Sequence, residues 1–236
     1  TKWADRSLES CDNLGLKIDK LSHEIDEGSG HDHKDKMLMY LKNFKVKDSL
    51  EKSYTHAFKR WQNIMEERKD TLCFSIESTS RVLLGTGNPS VHEFGVNLNK
   101  PWGVPYISGS GLKGLVSSYL AQNGGEQWHK DDEIQFKSDY QLELFGGTKK
   151  SNEKQDEKEK SESFIGTVMF YDAWLLPKHS SAWFCEDIIN VHYQRYYKQE
   201  RLPDGTEEPV PVKIAALNPE LCFFLVLQGS EQYLSF

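Results

Sequence analysis

Between Val104 and Leu120 the chain changes its period, and that change constrains the fold more than any other feature. Val104-Pro105-Tyr106-Ile107 reads as a short extended piece and Ser108-Gly109-Ser110-Gly111 follows it. Leu112, Leu115, Val116, Tyr119 and Leu120 then fall at i, i+3, i+4, i+7 and i+8, the spacing of an amphipathic helix. The chain therefore passes from strand to helix through a tight glycine turn. Ser110 is the expected N-cap, and Asn123-Gly124-Gly125 the expected stop.

The surrounding segments fill in an α+β order. Phe74 and Ile76 alternate with Ser75 and Glu77, and Val82, Leu83 and Leu84 extend the apolar run. The expectation is one long half-buried strand, ended by the turn residues Gly85 to Pro89. Phe164 to Trp174, Val210 to Leu217 and Leu221 to Leu227 read as further strands, the last two joined at Asn218-Pro219. Residues 1–70 are polar and helical in period, broken at Glu27-Gly28-Ser29-Gly30. They are expected to pack on the core that residues 71–236 form. Residues 148–163, rich in Lys, Glu, Ser and Asp, are expected to be a flexible surface loop. This order suits an antiparallel ferredoxin-like or RNA-recognition-motif-like sheet better than a doubly wound parallel one. Such a sheet calls for one more helix beyond the last strand.

Composition narrows the function classes. A net charge of −7 counts against a chain that binds nucleic acid alone by bulk electrostatics, but not against local contacts. Many of the acids sit in polar stretches such as Glu153 to Glu162. The cysteines, Cys11, Cys73, Cys185 and Cys222, are far apart, which argues against a zinc ribbon and for reduced thiols. No apolar run reaches the roughly 18 residues of a membrane span, so a cytoplasmic protein without membrane contact is expected.

Two segments carry candidate binding chemistry. Gly109-Ser110-Gly111-Leu112-Lys113-Gly114 fits G-x-G-x-x-G, but the preceding strand is short and holds Pro105. The acids about 20 residues further on, Asp131, Asp132 and Glu133, lie in a polar run, so a dinucleotide site is poorly supported. The turn still suits a phosphate: glycines admit close approach, first-turn N–H groups face outward, and Lys113 adds charge. A tight packing turn explains the same glycines equally well. The second segment, Asp187 to Val212, interleaves His192, Tyr193, Tyr196 and Tyr197 with Arg195, Lys198 and Arg201. Rings that stack on bases beside cations that meet phosphates suit single-stranded nucleic acid; a solvated hairpin turned at Pro203-Asp204-Gly205 is the plainer reading.

Enzyme constellations are thin. His31 and His33 without further ligands indicate a solvated loop rather than a metal site. His92 with Glu93 is an isolated acid–base pair, and Asp172 after a strand more often caps a turn than catalyses. No cofactor and no metal are expected.

The segments in order resemble a known family. Gly103-Val104-Pro105-Tyr106-Ile107-Ser108-Gly109-Ser110-Gly111-Leu112-Lys113-Gly114 is followed by Leu144-Phe145-Gly146, then by Gly166-Thr167-Val168-Met169-Phe170-Tyr171-Asp172-Ala173. His192-Tyr193, Tyr196-Tyr197 and Pro209-Val210-Pro211 complete the set. Over roughly residues 72–228 this is similar to the RAMP superfamily of CRISPR proteins, and within it to the sixth-subunit family of the type III-B Cmr effector complex. The resemblance implies a modified RNA-recognition-motif fold and a non-catalytic subunit that holds the 3′ region of the guide CRISPR RNA in antiviral defence. The partners implied are guide RNA, target RNA, and the backbone and head subunits of the complex. Asn88, His92, Ser108, Gly109, Ser110, Gly111 and Lys113 would contact guide RNA. A thumb-like insertion at residues 187–212, with His192, Tyr193, Arg195, Tyr196 and Lys198, would wedge into the guide–target duplex. Target cleavage would belong to neighbouring subunits; the alternative the resemblance leaves is a guide-processing, metal-independent endoribonuclease of the RAMP type, with His192 and Tyr196 as its acid–base groups.

Overall fold

A computed structural model of the chain describes residues 11–20, 31–88, 90, 94–128, 139–150, 161–177, 182–191, 194–200, 202 and 210–234. The elements run as α1 (Leu14–Lys20), α2 (His31–Asn43), α3 (Asp48–Glu66), β1 (Thr71–Glu77), β2 (Tyr106–Ile107) and α4 (Gly109–Asn123). After a short 3₁₀ turn come α5 (Asp139–Phe145), β3 (Gly146–Lys150), β4 (Ser161–Ile165), β5 (Met169–Phe170) and β6 (Ala173–Leu175). The chain continues through β7 (Phe184–Val191), α6 (Gln194–Tyr197), β8 (Val210–Leu217), β9 (Cys222–Gln228) and α7 (Glu231–Leu234). The fold is mixed helix and antiparallel sheet, as the order of segments predicts.

The chain divides into two compact units. The first comprises Thr1–Thr55, Glu77–Pro105 and Leu175–Cys222. Its largest element is the hairpin β7–β8, paired antiparallel from Phe184↔Leu217 to Val191↔Val210. Helix α2 packs on this hairpin and buries Met37, Leu38 and Leu41, positions one turn apart on one face. Lys17 of α1 is buried, with its ammonium 5.8 Å from the Tyr40 ring centroid and 5.5 Å from that of Phe44; the rings offset part of the cost of taking the charge out of water. Gly103 closes a turn at φ +66°, where a Cβ would stand 2.4 Å from the Leu14 nitrogen, so only glycine fits.

The second unit comprises His56–Ile76, Tyr106–Trp174 and Phe223–Phe236. A five-stranded sheet lies here in the order β1-β9-β6-β2, with β5 also paired to β9. Pairing is antiparallel for β2 with β6 and for β5 with β9. Phe223 to Val226 of β9 are all buried, as a central strand requires. The later turns of α3 contribute Phe58, edge-to-face with Phe224 at 5.8 Å, and Trp61, stacked on Trp174 at 5.8 Å.

Several segments differ from expectation. The long first strand ends at Glu77; beyond it Val82 makes only an isolated bridge to Leu217, because the Ser78 backbone turns away to bond Leu221 and Glu220. The single strand expected over 164–174 is three, β4, β5 and β6. Between the first two, Thr167 N–H donates to Glu143 O and Val168 N–H to Leu144 O, so these donors serve the end of α5 rather than a ladder. The expected loop 148–163 is paired at its flanks: Thr148↔Ser163 through Lys150↔Ser161 extend the hairpin β3–β4. A one-turn helix, α7, follows the last strand. The break at Glu27 to Gly30 lies outside the described residues. Among the described residues no helix is long and apolar enough to cross a membrane.

Candidate nucleic-acid interface

The glycine turn is built from the strand end outward. Tyr106 and Ile107 pair with Trp174 and Ala173, and Ser108 keeps an extended backbone (φ −66°, ψ 137°) before α4 begins. Ser108, not Ser110, is the N-cap. Its Oγ accepts from Gly111 N–H at 3.2 Å, and its carbonyl accepts from Leu112 N–H at 3.0 Å. Ser110 stands two residues later, exposed, with its hydroxyl 3.4 Å from that of Ser108. The sequence offers two serines around Gly109, and only the backbone geometry selects between them.

The first-turn donors expected to face a phosphate are partly taken within the chain. Gly109 N–H donates to Asp172 Oδ1 at 2.8 Å, which puts a carboxylate where the helix end favours negative charge. Asp172 thus caps a helix rather than offering free acid chemistry. Gly109 is a packing glycine, since a Cβ there would meet Phe170 O at 2.2 Å. What remains for an anion is Lys113, half-buried on the flank of α4 and without an ion pair among the described residues. It lines an open groove of about 470 Å³ between α4 and the hairpin β3–β4.

The dinucleotide reading is disfavoured by this geometry. The glycines lie inside the helix rather than in a loop before it, and β2 is a two-residue strand paired antiparallel with β6, not the first strand of a parallel βαβ unit.

The remaining sequence candidates belong to the first unit. Asn88 is exposed; its N–H donates to Gly85 O at 2.9 Å and its Nδ2 to Asn97 Oδ1 at 2.9 Å, so its amide already holds the turn. His92, His192 and Tyr193 lie outside the described residues, and of Arg195 only the backbone is described, in α6. Tyr196 and Tyr197 are exposed on α6 with ring centroids 5.6 Å apart, and Lys198 follows them, also exposed. The hairpin that carries them runs from Phe184 to Leu217, wider than the expected 187–212; the Pro203 turn lies outside the described residues. Among the described residues no three His, Cys, Asp or Glu side chains gather as metal ligands.

Two features of the site had no sequence signal strong enough to find them. Leu115 and Tyr119, counted on the buried stripe of α4, are 67% and 63% exposed, while Ser117 is buried. Phe164 and Ile165, read as strand interior, stand 44% and 96% exposed at the groove.

Comparison with known proteins agrees with the motif order. Over 195 residues the chain is 26% identical to the CRISPR system CMR subunit Cmr6 of Saccharolobus solfataricus, covering 80% of this chain and 56% of that protein. It thus spans little more than half of that relative's length. It is 24% identical over 244 residues to the CRISPR system Cmr subunit Cmr6 of Pyrococcus furiosus, covering 81% of this chain and 72% of that one. Its fold resembles a chain in the cryo-EM structure of the type III-B Cmr-beta bound to cognate target RNA, with a TM-score of 0.50 and 20% identity, over 93% of this chain and 75% of that one. Residues 75–217, which include the glycine turn and the hairpins β3–β4 and β7–β8, match the RAMP superfamily, and the chain belongs to that superfamily.

Proposed function

We propose that this chain is a non-catalytic RNA-binding subunit of a type III-B CRISPR ribonucleoprotein, holding the 3′ region of the guide RNA and helping to shape the guide–target duplex. The observation that carries the reading is Lys113. A cation without an ion pair among the described residues lines an open groove, inside the stretch that matches the RAMP superfamily. The two curated relatives are Cmr subunits, and the resembling fold was seen in an assembly bound to target RNA. The net charge of −7 fits a subunit that relies on neighbours for bulk attraction to RNA.

In this reading residues 71–236 are the modified RNA-recognition-motif domain and residues 1–70 its helical N-terminal region. The exposed Tyr196, Tyr197 and Lys198 lie on the insertion that acts as the thumb, rings against displaced bases and the cation near phosphate. Asp172, tied to Gly109, has a structural duty, and target cleavage falls to the backbone subunits. Guide RNA, target RNA and the backbone and head subunits are the partners, in the cytoplasm.

The test is to purify the tagged chain from the cells that express it, sequence the RNA that accompanies it and identify the co-purifying proteins. Short RNAs of a uniform repeat tag plus spacer, together with other RAMP subunits, are the expected result. A chain that emerges alone and free of RNA sinks the proposal.

A further inference from the structure

A cavity of about 700 Å³ lies within the first unit, where α2 ends and α3 begins. Its buried lining is apolar. Leu50, Val104 and Leu175 contribute carbon side chains only. The Tyr54 hydroxyl is already committed, donating to Leu175 O at 2.6 Å. Phe44 and Trp183 line it together, their ring centroids 5.7 Å apart. The volume falls in the range of sites that enclose a ligand, roughly 300–1,000 Å³.

The exposed lining is charged. Lys42, in the last turn of α2, and Lys45, in the connection that follows, have no ion pair among the described residues. Lys47 of the same connection is held by Asp12 at 3.0 Å. Glu51 of α3 is the one acid on the lining. Two unpaired cations against one carboxylate make a locally positive mouth in a chain of net charge −7, and such a mouth attracts an acidic partner.

An occupant therefore needs an apolar body with an acid beside it. A nucleobase would bring donors and acceptors that the carbon lining leaves unmatched. A fatty carboxylate would satisfy the lysines but give the Glu51 carboxylate nothing to accept, whereas a peptide also carries N–H donors.

We propose that this cavity anchors an apolar side chain from an acidic segment of a neighbouring protein subunit, whose carboxylate meets Lys42 and Lys45. The inference rests on the reading of the chain as one subunit of a larger particle, and it does not depend on how that particle holds RNA.

The test places a photo-reactive group on the exposed lining by Asn43→p-benzoylphenylalanine, in the tagged full chain within its native particle, and maps the cross-linked peptide by mass spectrometry. The cross-link is expected on one segment of a different subunit, where an apolar residue stands close in sequence to Asp or Glu. Two further variants are made in the same background. Ala182→Trp fills the cavity from an exposed position, and Lys42→Glu with Lys45→Glu reverses the charge. Each is expected to lower the cross-link about tenfold or more, the scale of one lost interface anchor, and to melt near wild type. The two change different elements, so one that fails to fold leaves the other to decide. A cross-link that falls on RNA, on this chain, on a segment without an acid or nowhere overturns the proposal, as does one that a folded variant leaves at wild-type yield. If the particle still carries its other subunits, the failure is the cavity's alone. A wild-type chain that emerges without partner proteins takes the subunit reading down as well.

Discussion

Asp172 Oδ1 accepts the Gly109 N–H at 2.8 Å, so the carboxylate at the end of one chain segment closes the first turn of a helix 63 residues away in sequence. A carboxylate there satisfies an orphan donor and meets the positive end of α4. Asp172→Ala is expected to cost about 1–2 kcal/mol of stability, read by urea denaturation. Asp172→Asn keeps an acceptor and removes a negative charge at the start of α4. It is expected to recover most of that loss and to bind RNA at least as tightly as wild type. A loss of RNA binding in Asp172→Asn with the fold intact would instead give the carboxylate a direct part in recognition.

Gln141 and Ser117 form a buried polar pair in the second unit. The Ser117 hydroxyl donates to Gln141 Oε1 at 2.6 Å and Gln141 Nε2 donates to Ser117 O at 2.9 Å, with both residues buried. Removing the Gln141 side chain takes this bond from the buried Ser117 hydroxyl, whereas Ser117→Ala leaves the bond from Gln141 Nε2 to the Ser117 backbone carbonyl in place. Gln141→Ala is expected to destabilise by about 2–4 kcal/mol, from the orphaned hydroxyl and the space left behind. Ser117→Ala should cost less, about 1–2 kcal/mol, because it creates little cavity. Equal costs in chemical denaturation would refute this account.

That pair also marks where the sequence misleads. The end of α4 was legible, because glycine after a helix reports a backbone need that is local, whereas its start fell to Ser108 rather than the expected Ser110. Strands β8 and β9 were legible from composition, since Val210, Val212 and Ile214 in one and Phe223, Phe224 and Val226 in the other are residue types that favour strands. The buried face of α4 was not. Apolar spacing selected Leu115 and Tyr119, which are exposed, whereas the helix meets α5 through Ser117 and Gln141. Periodicity marks an apolar stripe but not which side a tertiary partner takes, and two polar residues that satisfy each other leave no trace in a hydrophobic pattern. The break between β4 and β5 was hidden likewise: the composition is that of one strand, and the interruption comes from α5 carbonyls accepting Thr167 and Val168 N–H groups. At the candidate interface the sequence pointed to Lys113 and the glycines together. Only the space around each glycine separates Gly109, held by packing, from Gly114, which is not.

Gly103 gives a test of backbone strain. At φ +66°, with a Cβ destined to fall 2.4 Å from Leu14 N and 2.5 Å from Asn13 Oδ1, any side chain must displace the start of α1. Gly103→Ala is expected to destabilise by more than about 1 kcal/mol, the cost of a left-handed conformation alone, because the collision adds to it. A melt unchanged from wild type would mean that the start of α1 yields without cost.

Asp70 supplies a pH-dependent term. Its carboxylate accepts from Arg68 Nε at 3.0 Å and Nη2 at 2.9 Å, and from Gln228 Nε2 at 2.7 Å. The Arg68 hydrogen bonds, then that of Gln228, hold its pKa below the ordinary aspartate value. A carboxyl depressed in the folded state adds stability above its unfolded pKa and loses it as pH falls through the folded pKa. The contribution is therefore complete at neutral pH and disappears only below about pH 4. Asp70→Asn is expected to flatten the acid limb of the stability profile below that point. The Asp70 carboxyl resonance, followed by NMR, should titrate lower than aspartate in a short peptide; a midpoint at or above the peptide value would refute the account.

Lys113 offers the most direct reading of how much of RNA binding is phosphate contact. Each phosphate neutralised by a cation releases counterions, so the salt dependence of binding counts such contacts. Lys113→Gln should weaken binding to different RNA sequences by a similar factor and lower the slope of log affinity against log salt by about 1, because a phosphate contact carries no base information. Lys113→Glu should go further, repelling the same phosphate, and the assembled particle containing it should retain less guide RNA than wild type. A sequence-dependent loss with the slope unchanged would move Lys113 from the phosphate to a base edge. An assembled Lys113→Glu particle with its full RNA content would remove Lys113 from the interface altogether and leave the exposed ring pair of α6 as the remaining candidate contact.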